Sequence, residues 1–302
     1  MKESSCTQVL TAGELAAVFL PGQGMLGASL QLAGRELLGR VEDLASAAAK
    51  GGTAGIPLLY PWANRLSSTR FRTAGREVVL EPTSSMLHLD EHGLPIHGVP
   101  WSRLSWEVTE ATATTLGARL EWNREELLAV FPFRHRVELA VVLDPDGLRV
   151  ETTVHASGGD TVPVSFGFHP YFSLAGQPRG RWRLTLPGMR RLTLDGWGIP
   201  TGAEMPFAGF DAALGEQSFD DGFTVGRDTA ALSLTGPNHR VTLELLSGYP
   251  CTQVFAPRDK DYVALEPMTA PTSALTQGRG LRLLQPGDQF QAVFRIHVAR
   301  LR

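Results

Sequence analysis

Two segments place a proton-exchanging side chain where a regular strand pattern breaks. His169 precedes a proline and is surrounded by aromatic residues, so we expect an extended backbone and a partly dry site. Such a site shifts the pKa of a histidine, which can then give or take a proton near neutral pH. Glu266 ends an apolar run and also precedes a proline; a carboxylate there is costly unless it has partners or a task. The pair indicates acid–base chemistry, and the alternatives are a core histidine bonded to a carbonyl and a structural salt bridge.

A second group of polar residues lies in stretches that are too irregular for central strands. Asn64 and Arg65 follow two prolines and Trp62 within residues 57–65. Planar donors beside an aromatic face suit a polyol, which offers both hydroxyl and C–H groups. His97 precedes a glycine between two prolines, so irregular backbone can present it to a cleft. The alternatives are a rigid surface loop with Arg65 in an ordinary ion pair, and a turn histidine bonded to nearby backbone.

A zinc site is the one metal site that the spacing suggests. His88, His92 and His97 are separated by four and five positions, which occur among zinc ligands. The first pair would need a helix beneath it, and Gly93 and Pro95 oppose one. We therefore expect no metal.

Composition excludes several classes of protein. The 302 residues carry 28 Lys+Arg and 31 Asp+Glu with 43% hydrophobic residues, which excludes a disordered chain and disfavours nucleic-acid binding through a basic surface. The longest apolar runs are shorter than the roughly 20 residues of a membrane span. The first ten residues lack the apolar stretch of a signal peptide, and the cysteines Cys6 and Cys251 form no disulfide framework. We expect a cytoplasmic protein without nucleic-acid or membrane partners.

Alternating apolar and polar residues predict the strands that must position the candidate site. The alternation covers residues 104–108, 116–122, 148–154, 182–186, 241–245 and 290–296. Asp144-Pro-Asp-Gly147 predicts a hairpin, and residues 41–50 predict a short helix or a surface insertion. The fold class is therefore all-β, an antiparallel sandwich or barrel in a single domain over residues 1–302, with a flexible tail at 1–12.

Five segments in order resemble the aldose 1-epimerase (galactose mutarotase) family across nearly the whole chain. The segments are PWANR, IHG, FGFHPYF, FDDGF and LEPMTAPTSAL, of which HPYF and EPMT are rather specific. The resemblance implies a large antiparallel β-sandwich of the galactose mutarotase-like supersandwich type, with an open sugar-binding cleft and no metal or cofactor. It also implies interconversion of the α and β anomers of an aldose.

The resemblance assigns roles residue by residue. It implies that His169 is the general acid and Glu266 the general base. It implies that the sugar is held by Arg65, Asn64, His97, Tyr171 and an aspartate. The aspartate of the family stands three positions before a phenylalanine, a spacing that Asp220 meets and for which Asp221 is the fallback; by themselves, adjacent aspartates before a glycine indicate a turn.

The implied reaction sets requirements that the structure can test. An anomer changes by ring opening, in which O1 loses a proton while O5 gains one. This predicts a base and an acid on opposite sides of the sugar. It also predicts a bell-shaped pH profile that falls when Glu266 is protonated in acid and when His169 loses its proton in alkali.

Other functions remain alternatives. The substrate is expected to be a free aldohexose, because residues 99–101 offer no cation where the phosphate branch of the superfamily has an arginine, and Arg103 comes two residues late. A hexose-6-phosphate 1-epimerase and a non-catalytic carbohydrate-binding protein are the alternatives. The expected partner is a small-molecule sugar, and the protein is expected to be a monomer or a weak homodimer.

Overall fold

The computed structural model describes residues 7–42, 44–174, 176–226 and 229–301, which form an almost entirely antiparallel β structure. The strands are β1 (Gln8–Ala12), β2 (Leu15–Leu20), β3 (Leu26–Leu32), β4 (Arg35–Glu36), β5 (Leu58–Leu59), β6 (Arg70–Thr73), β7 (Arg76–Val79), β8 (Glu107–Ala111), β9 (Thr115–Trp122), β10 (His135–Asp144), β11 (Gly147–His155), β12 (Val162–Val164), β13 (Gly167–Phe168), β14 (Tyr171–Phe172), β15 (Arg183–Leu186), β16 (Met189–Leu194), β17 (Pro200–Phe207), β18 (Phe210–Ala213), β19 (Phe219–Thr224), β20 (Ala230–Thr235), β21 (His239–Ser247), β22 (Cys251–Ala256), β23 (Val263–Met268), β24 (Arg282–Leu284) and β25 (Gln289–Arg300). The α-helices are α1 (Leu44–Ala49), α2 (Glu125–Leu128) and α3 (Ala274–Gln277). Short 3₁₀ turns cover Pro21–Gln23, Trp101–Arg103 and Arg179–Arg181.

Two large sheets dominate the described residues. One has nine strands in the order β18-β15-β20-β21-β25-β11-β10-β9-β8. The other has eight, in the order β17-β16-β19-β22-β23-β13-β5 with β14 also paired to β23. The sheets meet through aromatic contacts such as Phe168 on β13 against Phe294 on β25, whose ring centroids are 5.0 Å apart. The all-β sandwich predicted from the sequence is confirmed.

Alternation places the core as predicted, because successive side chains of a strand point to opposite faces. In β9 each second residue is buried, ending at Trp122 with no exposed surface. The β10–β11 hairpin closes at the predicted turn, where Asp144 pairs with Gly147. The alternating segment at 104–108 differs: Leu104 and Trp106 are buried before the strand begins at Glu107.

The N-terminal part corrects one expectation. Residues 8–12, assigned to a flexible tail, form strand β1, which pairs with β2 through five residue pairs. The Thr11 amide also donates to the Ala113 carbonyl at 2.7 Å, which ties β1 to the loop between β8 and β9. The rest of the predicted tail, including Cys6, lies outside the described residues, except that Thr7 precedes β1. No described helix has the length and apolar character needed to cross a membrane.

Candidate active site

One face of the eight-stranded sheet forms the floor of a cleft. Gln253 on β22 is the direct cross-strand neighbour of Glu266 on β23, so both side chains share that face. Gln253 Nε2 donates to Asp220 Oδ1 on β19 at 2.7 Å. Three adjacent strands therefore bring an amide and two carboxyl groups together.

His169 joins this floor because it lies between β13 and β14, both of which pair with β23. Its Nε2 atom is 3.1 Å from Glu266 Oε1. The Tyr171 ring stacks on the imidazole with centroids 4.2 Å apart, and the Tyr171 hydroxyl lies 3.3 Å from His169 Nε2 and 2.5 Å from Thr53 Oγ1. The imidazole is thus held on one face by an aromatic ring and at one nitrogen by two oxygen atoms.

The two irregular segments, which contain Asn64 and His97, form one wall of the cleft. They are hydrogen-bonded to each other at these two residues, whose backbone lies in the left-handed region. Asn64 has φ +57° and His97 has φ +64°. The His97 amide donates to the Asn64 carbonyl at 3.0 Å, and the Asn64 amide donates to His97 Nδ1 at 3.3 Å. Gly98 is required beside them, since a Cβ there would lie 2.2 Å from the Tyr60 carbonyl oxygen.

Arg65 makes the ion pair that the sequence left open and also lines the cleft. Its Nε donates to Asp90 Oδ2 at 2.6 Å, and its Nη2 lies 3.5 Å from Glu91 Oε1. The Asp90 side chain is 2% exposed and also accepts from two backbone amides, so it is a fixed anchor. Arg65 nevertheless lines the cleft, held in place by its ion pair.

The cleft has a volume of about 200 Å³ and is open to solvent. Its lining residues are Arg40, Thr53, Asn64, Arg65, Ile96, His97, His169, Tyr171, Asp220, Gln253, Phe255 and Glu266. All of the predicted site residues except Asp221 are brought together here.

Asp221 is the exception. Side chains alternate along β19, so Asp221 points away from the cleft and its Oδ1 lies 3.5 Å from Arg191 Nε. The choice between adjacent aspartates that the sequence left open falls on Asp220, and the fallback assignment of Asp221 to the site is wrong.

The sequence reasoning missed several lining residues. Gln253 could have been found, because it interrupts an apolar strand in the same way as Glu266. Thr53 and Arg40 lie in or beside irregular segments around α1 and have no comparable signal. Their position follows only from how that part of the chain folds over the sheet.

Burial controls the protonation of the central pair. It raises the pKa of Glu266 well above its usual range, and the nearby charge of Asp220 adds to this rise. It lowers the pKa of His169 well below its usual range, with a further contribution from His97. His97 itself has a pKa lowered to about 3, mainly by burial and then by Arg65. Both partners of the pair are therefore driven toward their neutral forms, a protonated Glu266 carboxyl and a neutral His169 imidazole.

This geometry corrects one expectation. His169 and Glu266, the predicted acid and base, are neighbours rather than opposite each other, 3.1 Å apart on one surface. O1 and O5 of a sugar are both bonded to C1, so a neighbouring pair can reach both from one edge of the ring. The directions of the two pKa shifts also predict that the acid limb of the pH profile reports proton uptake by His169 and the alkaline limb proton loss from Glu266.

The zinc candidate does not form a ligand cluster. In the described ranges, no three His, Cys, Asp or Glu side chains converge in a way that could hold a metal ion.

Comparison with known proteins agrees with the geometry. The sequence model of the family described as "Aldose 1-epimerase" matches residues 7–297. The chain belongs to the aldose 1-epimerase family. The chain is similar to the uncharacterized protein YphB of Escherichia coli (strain K12), 29% identical over 243 residues, which cover 76% of this chain and 79% of that protein. The uncharacterized protein YihR of the same organism is 26% identical over 255 residues, covering 80% and 79% of the two chains.

Solved structures show the same fold. A galactose mutarotase-like protein from Clostridium acetobutylicum superposes with a TM-score of 0.84 at 19% identity, covering 97% of this chain and 95% of that chain. Galactose 1-epimerase from Lactobacillus acidophilus NCFM superposes with a TM-score of 0.74 at 15% identity, covering 97% and 93%. The galactose mutarotase-like fold expected from the sequence is confirmed.

Proposed function

We propose that the protein is an aldose 1-epimerase (mutarotase) that interconverts the α and β anomers of a free aldohexose. The observation that carries the proposal is the contact of 3.1 Å between His169 Nε2 and Glu266 Oε1 on the floor of an open polar cleft. Simple sugar binding does not require such a buried acid–base pair.

The pair supplies both proton transfers of the reaction. Movement of the carboxyl proton of Glu266 to His169 gives a Glu266 carboxylate and a His169 imidazolium. The carboxylate takes the O1 proton, the C1–O1 bond becomes a carbonyl, the C1–O5 bond breaks and O5 takes the imidazolium proton. Rotation about C1–C2 and the reverse transfers close the ring from the other face. The pair is restored to its starting charge without solvent.

The remaining lining residues position the sugar. Asp220 and Gln253 present an acceptor and a donor from the floor, and Arg65 presents a guanidinium from the wall. Phe255 offers an apolar face to C–H groups, since its ring lies 6.2 Å from that of His169 on the same surface. Holding the ring beside the acid and base turns a solution reaction into a positioned one.

The test is mutarotation of freshly dissolved α-glucose and α-galactose, followed by polarimetry. Glu266→Gln keeps the shape but removes the base, and His169→Asn removes the acid. Each change is expected to lower kcat by a factor on the order of 10² or more. The double variant should lose less than the product of the two factors, because both groups serve one transfer.

The chain offers a matched control. His155 Nε2 lies 3.1 Å from Glu138 Oε2 on the β10–β11 hairpin, outside the cleft. Glu138→Gln removes the same type of contact and should leave the rate unchanged. A folded Glu266→Gln protein that matches the Glu138→Gln control would remove Glu266 from the mechanism, and a wild-type protein that only binds sugar would be a carbohydrate-binding protein.

A further inference from the structure

A second pocket of similar size, the side pocket, lies beside the catalytic cleft. It has a volume of about 240 Å³ and is lined by Arg40, Glu42, Ser46, Ala47, Lys50 and Gly52. Arg40 lines both this pocket and the catalytic cleft. The two spaces therefore adjoin at Arg40.

Arg40 is placed as a ligand-facing cation. Its guanidinium carbon lies 5.2 Å from the ring centroid of Tyr171 and 5.9 Å from that of Tyr262, so aromatic faces rather than an acidic partner support it. Tyr171 is the residue that stacks on His169, which places the cation beside the reaction centre. Arg40 has φ +58°, a region that side chains rarely adopt.

The cations of the pocket form no ion pair with the carboxylates that the structure describes. Within the described ranges, no carboxylate oxygen lies within 4.0 Å of a charged nitrogen of Arg40 or Lys50. Arg65 on the opposite wall, in contrast, is bound to Asp90. Glu42 also lines the pocket, which leaves one net positive charge on its three charged residues.

A neutral sugar makes little use of two cations that have no ion-pair partner among the described residues. A guanidinium presents a planar fork of donors that fits a carboxylate or a phosphate, and a nearby ammonium adds a point charge. Hydroxyl groups already have Asp220 and Gln253 on the floor of the cleft. The cations at the side pocket therefore fit an anionic group carried by the sugar beyond the ring.

We propose that Arg40 and Lys50 form a subsite for an anionic group of the aldose, so that an acidic sugar such as a hexuronic acid is a better substrate than a neutral aldohexose. This inference rests on the proposed mutarotase function. In a hexuronic acid the anionic group is a carboxylate, and the sugar carries no phosphate. In a hexose 6-phosphate it is a phosphate, which the same two cations could bind.

The test compares three sugars by saturation-transfer NMR between their two anomeric protons, which requires no pure anomer. Glucose is the neutral reference, and glucuronate and glucose 6-phosphate are the two anions. We expect at least one anion to have a kcat/KM about 10- to 100-fold above that of glucose, the usual contribution of a charge-assisted hydrogen bond. The anion with the larger kcat/KM shows whether the subsite prefers a carboxylate or a phosphate.

Substitution then assigns the preference to the pocket. Arg40→Gln and Lys50→Gln should lower kcat/KM for the preferred anion by a larger factor than for glucose, and added salt should reproduce part of this loss. Arg103→Gln is the control, because Arg103 is exposed and lines neither the cleft nor the side pocket. Equal kcat/KM values for all three sugars, or equal losses for glucose and the anions in Arg40→Gln, would overturn the proposal.

A binding measurement separates this inference from the proposed function. Calorimetric titration of the Glu266→Gln variant with glucuronate and glucose 6-phosphate measures affinity without turnover. If the wild type anomerises no sugar but Arg40→Gln weakens anion binding in the Glu266→Gln background and Arg103→Gln does not, the mutarotase function fails and the subsite stands. If glucose is anomerised and neither anion binds more tightly than glucose, the subsite fails and the mutarotase function stands.

Discussion

Replacement of Asp220 by asparagine is expected to have two separable effects, because this carboxylate lines the cleft and its charge also acts on Glu266. Asp220 is exposed in the cleft, where Gln253 donates to its Oδ1 at 2.7 Å. A sugar hydroxyl that donates to the carboxylate makes a charge-assisted bond, which contributes about 1.5–3 kcal/mol. Asp220→Asn should therefore lower kcat/KM by about 10- to 100-fold.

The second effect is a shift of the pH profile. The negative charge of Asp220 raises the pKa of Glu266, so its removal lets Glu266 lose its proton more readily. The active pair holds one proton, and the alkaline limb reports the loss of that proton. In Asp220→Asn the alkaline limb should move to lower pH. The acid limb, which reports uptake of a second proton by His169, should move less.

The neighbouring residue provides the control. Asp221→Asn changes the same chemical group one position along β19, but on the face toward Arg191. Initial rates of mutarotation, measured by polarimetry from acidic to alkaline pH, should show both effects in Asp220→Asn and neither in Asp221→Asn. Equal losses in the two variants, or an unshifted alkaline limb in Asp220→Asn, would refute the placement of Asp220 in the cleft.

Three further predictions follow from the same geometry. Tyr171→Phe removes the hydroxyl 3.3 Å from His169 Nε2 and should lower kcat about tenfold, the size of effect expected when one hydrogen bond is lost, while the circular dichroism spectrum stays unchanged. An unchanged kcat would show that the hydroxyl does not orient the imidazole. Asp90→Asn removes the charge that holds Arg65, so KM should rise about tenfold while kcat changes little, and an unaltered KM would contradict the anchoring role. Burial lowers the pKa of His135 from 6.5 to about 4, so between these pH values only the unfolded chain takes up the proton, and the free energy of unfolding should decrease by up to about 3 kcal/mol as the pH falls from 6.5 toward 4. Urea unfolding at several pH values measures this decrease, and a His135→Gln variant that shows the same decrease would disprove it.

The sequence by itself determined the strands and most of the chemistry. Period-two alternation requires one buried face, which is why β9 and β11 begin and end within one residue of the alternating segments that predicted them. His169 and Glu266 could be identified because each places an ionisable group in an apolar stretch that a simple strand would not contain. The family resemblance then ordered these segments into one site.

Only the tertiary structure decided which face of β19 borders the cleft, and therefore that Asp220 and not Asp221 lies in it. Alternation shows that adjacent residues point in opposite directions, but not which direction faces the site. The contact between His169 and Glu266 likewise depends on the pairing of β13 and β14 with β23, a strand that lies far from them in the chain. A pKa depends on the burial and charges around a group, so the directions of the pKa shifts of His169 and Glu266 followed only from the packing. Arg40 reaches the cleft by the same packing, because its position comes from contacts with Tyr171 and Tyr262 rather than from any local pattern.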